Sequence, residues 1–323
     1  MKFTNLVFAA LFLVSHAAFA QDYPSKPVKV VVPWPAGGTT DTAGRVIAQR
    51  LSARMSSPFV VENRGGATAM IGATAVAQSP ADGYTLLIAS AETHAINPYI
   101  YRKLSYDPVK DLVVIAPFAI NPFTVVVRGD FPGSSINALV DLAKANPGKY
   151  TYSSAGLGSA SQLAMEMFKM QAGVDLLHIP FQGEAPAVTA LMSGQVDAQI
   201  LPAGRAAALS KSGKIKVFAV TTQERFFGMA DVPTLSESGF DKVNIANWFA
   251  LAAPTQTPAP IVQRLYSEIQ AIVTMPDAQA AFRGMGLDVY PPVSAQDFRK
   301  FVASEMTRWG EVIQRSNIRL DQK

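Results

Sequence analysis

From Val28 onward the chain alternates short β-branched apolar runs with segments whose apolar residues recur at helical spacing. Val28 to Val32, interrupted only by Lys29, predicts a strand buried on both faces. In Asp41 to Met55, residues Ala43, Val46, Ile47, Leu51 and Met55 fall on one helical face. Phe59-Val60-Val61, an Ala-rich helix from Ala69, a turn at Asp82-Gly83 and a strand from Tyr84 to Ala89 follow. The order β-α-β-α-β predicts a parallel sheet with helices on both faces. Val113 to Phe118 is a further strand, and Phe123 to Arg128 follows at once, as if the chain left one sheet to enter another.

The second half repeats the pattern. A helix carries Ile136, Leu139, Val140 and Ala143, and a strand from Tyr150 to Ser153 meets a Gly/Ser loop. A helix to about Gln171, a strand from Leu176 to Phe181 and a helix from Ala185 to Ser193 come next. Strands from Val196 to Leu201 and Ile215 to Val220 are followed by a turn-rich loop over residues 221–240. A strand from Val243 to Ala252 crosses back, and helices from Ala259 to Met275 and Ala295 to Arg315 close the chain, the latter capped by Ser294 with Asp297 at N3. The pattern predicts an α/β protein of two lobes, each a mostly parallel sheet flanked by helices, joined by two crossover strands. Lobe 1 comprises residues 21–120 plus 246–323 and lobe 2 residues 121–245, with hinges near 119–121 and 246–248.

The first twenty residues follow neither pattern. Lys2, an apolar run from Leu6 to Val14 and Ala18-Phe19-Ala20 have the form of a secretory signal cleaved after Ala20, too short to span a bilayer. Export to the periplasm is therefore expected, and losing Lys2 takes the formal charge from +4 to +3. The absence of cysteine excludes thiol catalysis and cysteine metal sites. Scattered basic residues argue against nucleic acid, and His94 and His178 lack ligand-like spacing. Neither metal nor cofactor is expected.

Ligands of open α/β sheets bind beyond the carboxyl ends of strands, so the strand-to-helix loops carry the candidate chemistry. In Trp34-Pro35-Ala36-Gly37-Gly38-Thr39-Thr40-Asp41 the glycines permit close approach, the threonines offer hydroxyls, and the helix start favours an anion. Asp41 reads as a loop fastener and Trp34 as either a ligand wall or packing beneath the loop. Ser90, Thr93 and His94 form the second loop, and Ser154, Gly156, Gly158 and Ser159 the third. Gly156-x-Gly158-x-x-Ser161 approaches a dinucleotide fingerprint but lacks its third glycine, and is read as an anion cradle whose amides sit at the Ser159 helix start. Phe181, Gln182 and Gly183 make the fourth loop. A phosphate loop and a nucleophile elbow are both missing.

These loops, with Tyr23-Pro24-x-Lys26-Pro27, Val61-Glu62-Asn63-Arg64-x-Gly66, Ala81-Asp82-Gly83-Tyr84-Thr85-Leu86-Leu87, Thr93-His94-Ala95-Ile96-Asn97-Pro98, Tyr106-Asp107-Pro108-Val109-Lys110-Asp111 and Val232-Pro233-Thr234, form an ordered series. The series resembles the Bug-type extracytoplasmic solute receptors of tripartite tricarboxylate transporters. That resemblance implies a Venus-flytrap fold, no enzymatic activity, and delivery of a small carboxylate to an integral-membrane permease. Di- and tricarboxylates and aromatic carboxylates are the ligands it suggests; a monomer is expected. Two other readings remain at this point: an exported hydrolase or lyase on the same fold, with His94 as its base, and a ligand-sensing receptor for a signalling partner.

Overall fold

A computed structural model describes residues 23–320. The proposed signal lies outside the described residues. Strand β1 (Val28–Val32) is the central apolar run: Val28, Val30, Val31 and Val32 are all buried. It pairs in parallel with β2 (Phe59–Asn63) on one side and β3 (Thr85–Ala89) on the other. Crossovers are α1 (Thr39–Met55), which buries Ala43, Ile47, Leu51 and Met55, and α2 (Met70–Ala77). The predicted helical face of α1 is therefore the one that packs on the sheet, with Val46 only partly covered.

Beyond β3 the chain makes a π-helical turn over residues 92–96, runs into α3 (Asn97–Ile100), and enters β4 (Leu112–Arg128). The two strands expected here are one. Residues 112–122 of β4 pair antiparallel with β9 (Ala246–Pro254), which in turn pairs with β3. Residues 123–128 pair instead with β7 (Ala198–Pro202) and β8 (Ile215–Val220). Pro117 and Pro122 lie within this strand. Register shifts flank the Ala116-Pro117 pair, leaving Ile115 and Phe118 without partners on β9 while Pro117 itself stands opposite Ala250.

The second sheet runs β6-β5-β7-β4, with β8 on the other edge of β4. Here β5 (Thr151–Ser154) is parallel to β6 (Leu177–Pro180) and to β7. Its helices are α4 (Ile136–Ala145), α5 (Ala160–Ala172), α6 (Glu184–Met192) and α7 (Ala203–Ser210). The chain returns through β9 to α8 (Ala259–Thr274), α9 (Pro276–Gly284), β10 (Asp288–Val289) and α10 (Ala295–Ser316). Ser294 caps α10 by accepting from the Asp297 amide, as expected. Helices α7 and α9 and strand β10 were not foreseen.

One apolar core lies between the first sheet and α1, α8 and α9, centred on Phe118, Phe249 and Phe282. A second runs from Phe298 and Trp309 of α10, past Trp248, to Leu163 and Phe168 of α5. Trp248 meets Phe298 edge-on at 5.4 Å, a favoured aromatic geometry. Helix α10 thus braces both sheets behind the cleft.

Candidate functional site

The carboxyl ends of β1, β3, β5 and β6 point into one region, where the two sheets meet across the crossing strands β4 and β9. A cavity of about 100 Å³ lies there. Its walls include Trp34, Ala36, Gly38, Thr39 and Thr40 from the loop after β1, Ser159 from that after β5, and Gln182 and Gly183 from that after β6. An outer cavity of about 640 Å³ shares Trp34, Gln182 and Gly183 with it and adds Gly156 and Phe181. Ten of the seventeen sequence-predicted residues therefore line these two connected spaces.

The other seven line neither space. The Gly37 amide donates to Asp41 at 3.0 Å, and Asp41 also accepts from Asn63 at 2.9 Å and pairs with Arg45 at 3.0 Å. Burial raises the Asp41 carboxyl, but the bonds from Gly37, Arg45 and Asn63 outweigh it and hold the group below the usual carboxylate range. It is a fastener of the first loop. Ser90 donates to Glu92 at 2.6 Å, and Thr93 bonds back to Ser90 and to His94. Burial pushes His94 down to about 4, and its ring lines a separate cavity beneath α10 rather than the cleft. The Gly158 amide donates to Gln162 at 2.6 Å. Gly158 has φ +74°, and a Cβ there would collide with Ile100, so the position requires glycine.

Ser154 forms the arrangement closest to a catalytic pair. Its hydroxyl lies 2.6 Å from Nε2 of His178, whose Nδ1 is 3.1 Å from the Gln162 amide and whose ring stacks on Tyr152 at 4.7 Å. Ser154 is fully buried, lines neither cavity, and has an amide where a triad would place a carboxylate. The pair is a structural hydrogen bond inside the sheet.

Three helix starts face the cleft, and they differ. At α5 the N-cap Ser159 accepts from the Gln162 amide, while the buried Glu92 carboxylate accepts from Ala160 N–H at 3.2 Å. This start, expected to present open amides, is already occupied by protein oxygens. The starts of α1 and α6 follow Gly38 and Gly183, which offer no capping side chain, and at α1 the Glu184 carboxylate accepts from Thr39. Both of these starts line the inner cavity.

Sequence reasoning missed several wall residues. Asn121 and Phe123 come from β4, Asn247 and Phe249 from β9, and Gln199 from β7. Asn121 and Asn247 are the amide side chains in two largely apolar crossing strands, a polar interruption that could have marked them. Glu92 and Glu184 were passed over within loops that were singled out. Glu92 accepts from Ser90, from Asn247 at 3.1 Å and from Ala160, joining the first half of the molecule to the second. Glu184 accepts from the Thr39 hydroxyl at 3.1 Å and lies 3.5 Å from Arg205 Nε. Burial pushes its carboxyl up, opposed by Arg205 and Thr39. No group of three or more His, Asp or Glu among the described residues could hold a metal ion.

Two sheets joined by two continuous crossing strands, with a loop-lined cavity between them, define a two-lobed solute-binding protein of the periplasmic-receptor type. Residues 43–318 match the family described as the tripartite tricarboxylate transporter family receptor, and the chain belongs to that family. It is 32% identical over 316 residues to Protein BugT of Bordetella pertussis, covering 97% of this chain and 96% of that protein. Among solved structures, Rpa4515 of R. palustris with adipate superposes with a TM-score of 0.88 at 34% identity, covering 93% of this chain and all of that one. MatC of Rhodopseudomonas palustris with bound malate gives 0.84 at 30% identity, covering 90% of this chain and all of that one. The family's receptors are periplasmic and this chain is a solute receptor, not an enzyme.

Proposed function

We propose that the protein captures a small carboxylate in the inner cavity and delivers it to a membrane permease. The observation that carries this reading is the pair of glycine-capped helix starts, α1 and α6, which line one cavity from the first and the second sheet. Each helix start concentrates N–H donors and partial positive charge, worth about 0.3–1 kcal/mol when exposed and up to ~2 kcal/mol when partly buried. Charge-assisted hydrogen bonds are about twice as strong as neutral ones, so a carboxylate gains more from such amides than an ester does. Thr39 and Thr40 add hydroxyls, and Trp34, Phe123 and Phe249 supply apolar wall. Relatives solved with adipate and malate support the same ligand class.

In this reading the contacts come from Trp34, Ala36, Gly38, Thr39, Thr40, Ser159, Gln182 and Gly183, with Gly156 and Phe181 at the mouth. Residues 21–120 and 246–323 form lobe 1, residues 121–245 form lobe 2, and the lobes close about the crossings. The chain works as a monomer after removal of residues 1–20, and the family's transport role supplies the permease. Titration with a bound acid and its methyl ester, at one pH and salt concentration, tests the assignment. The ester should bind far more weakly; equal affinity would refute the carboxylate reading.

A further inference from the structure

The start of α1 already holds a carboxylate, and it is the protein's own. Glu184 opens α6 on the second sheet, and Thr39 opens α1 on the first. The Glu184 carboxylate accepts from the Thr39 hydroxyl at 3.1 Å and from the Thr39 backbone N–H. It therefore stands where this helix start would hold the carboxylate of a ligand. On its own side of the cavity, Glu184 Oε1 lies 3.5 Å from Nε of Arg205 on α7. Both of those atoms are buried and neither makes a hydrogen bond, so the ion pair is present but not drawn together.

A carboxylate at a helix start uses the free N–H donors and offsets the partial positive charge, whichever molecule supplies it. Two carboxylates at one start repel each other, and the inner cavity is lined by no lysine or arginine that would screen them. One of them must leave. Glu92, the other acid on the lining, is fixed by bonds from Ser90, Asn247 and Ala160. Glu184 differs, because its partners stand on opposite sides of the cavity. If it gives up Thr39 it keeps Arg205, and a small turn of the side chain converts the 3.5 Å approach into a charge-assisted hydrogen bond. The cost of stepping aside is partly returned.

We propose that Glu184 is an internal competitor for the carboxylate grip: it occupies the start of α1 until an acid displaces it onto Arg205, and so sets the affinity threshold of the site. This rests on the carboxylate reading above and adds how that site is regulated. The arriving acid takes over the Thr39 donors and replaces a bond between the two sheets with its own contacts to both. Only an acid whose contacts outweigh the bonds Glu184 gives up is retained. A neutral ester has no charge to set against the helix start and leaves Glu184 in place.

Calorimetric titration with succinate, malate and adipate, each beside its dimethyl ester, tests the proposal on four proteins. These are the parent, Glu184→Ala, Thr39→Val and the double variant. The tightest acid should bind Glu184→Ala about tenfold more strongly than the parent, the worth of one charge-assisted hydrogen bond that no longer has to be broken. Relief of charge repulsion alone would also raise affinity, so the double-mutant cycle decides. In the parent the Thr39 hydroxyl serves Glu184 before binding and the acid after it, whereas in Glu184→Ala it serves the acid alone. Thr39→Val should therefore cost several-fold more affinity in the Glu184→Ala background than in the parent. Equal costs in the two backgrounds, or no gain in Glu184→Ala, overturn the proposal. Should Glu184→Ala fail to fold by circular dichroism, Glu184→Met keeps the length, removes the acceptor and enters the same cycle. Acids that bind the parent more tightly than their esters, without a gain in Glu184→Ala, overturn the competitor and leave the carboxylate reading standing. Esters that bind both proteins as well as the acids do, or no acid bound by either at millimolar concentration, overturn the carboxylate reading and the competitor with it.

Discussion

Replacing Glu92 by alanine removes a buried carboxylate that joins the loop after β3 to β9 and to the start of α5. Three bonds disappear: from Ser90 Oγ at 2.6 Å, Asn247 Nδ2 at 3.1 Å and Ala160 N–H at 3.2 Å. Hydrogen bonds to a charged group contribute about 1.5–3 kcal/mol each, which would sum to roughly 4–9 kcal/mol if all three donors were left dry. Glu92 lines the inner cavity, however, so water can enter and partner some of them. The loss should therefore fall near 2–4 kcal/mol, with alanine also leaving the α5 dipole uncompensated. Urea unfolding of the ligand-free protein, followed by circular dichroism, measures it as a lower midpoint at unchanged slope. Glu92→Gln keeps the size but turns an NH₂ toward one of the three donors, and should also lower the midpoint. An alanine variant whose midpoint and slope match those of the parent protein would refute the view that this carboxylate holds the lobes together.

Gly38 has φ −87°, and a Cβ there meets only Pro35 O at 3.9 Å, so Gly38→Val should fold normally yet weaken carboxylate binding by about tenfold or more by filling cavity space. Gly158→Ala should do the reverse and destabilise by about 1–3 kcal/mol, through its positive φ and the collision with Ile100; normal stability by thermal unfolding would contradict this. His94 titrates near 4 when folded and near 6.5 when unfolded, so the unfolded state binds more protons between those values. Its contribution to stability is complete above pH 6.5 and declines as the pH falls, by about 2 kcal/mol at pH 5; His94→Gln should flatten that part of the profile, and an unchanged slope would refute it. Small-angle scattering should show a smaller radius of gyration when a bound acid closes the lobes about 119–121 and 246–248, and an unchanged radius at saturation would count against hinge closure.

How much could be read from the chain depended on whether an element's signal was local. The Val28–Val32 run and the spacing of Ala43, Ile47, Leu51 and Met55 carry their own burial pattern, and both elements appear within two residues of expectation. The gap expected between Phe118 and Phe123 holds Pro122, a local breaker, and only the partners β9, β7 and β8 make one strand of β4. Helix α7 follows strand β7 directly at Pro202, with no intervening loop to mark its start. The turn over residues 92–96 is buried throughout, Glu92 and His94 included, and nothing in its polarity predicts that. Glu92, Asn121, Gln199 and Asn247 reach the site because two strands cross and two sheets face each other, a relation that no linear spacing encodes.

The three helix starts show where an improved reading of the sequence lies. All three follow a strand and all three contain small residues, so they looked equivalent as anion cradles. What separates them is the N-cap residue. Ser159 spends its own oxygen on the Gln162 amide, and Glu92 then completes the start of α5 from across the cleft. Gly38 and Gly183 have no side chain to spend, although at α1 the Glu184 carboxylate accepts from the Thr39 hydroxyl and backbone N–H, and at α6 Pro186 removes one donor. A serine cap serves the stability of its helix; a glycine cap at the carboxyl end of a strand leaves its donors for a ligand. The sequence distinguishes these cases directly, since Ser159 precedes α5 where Gly38 and Gly183 precede α1 and α6. Applied from the outset, that distinction keeps the expected carboxylate grip at the start after Gly38, drops the one at Ser159 and adds the one at Gly183.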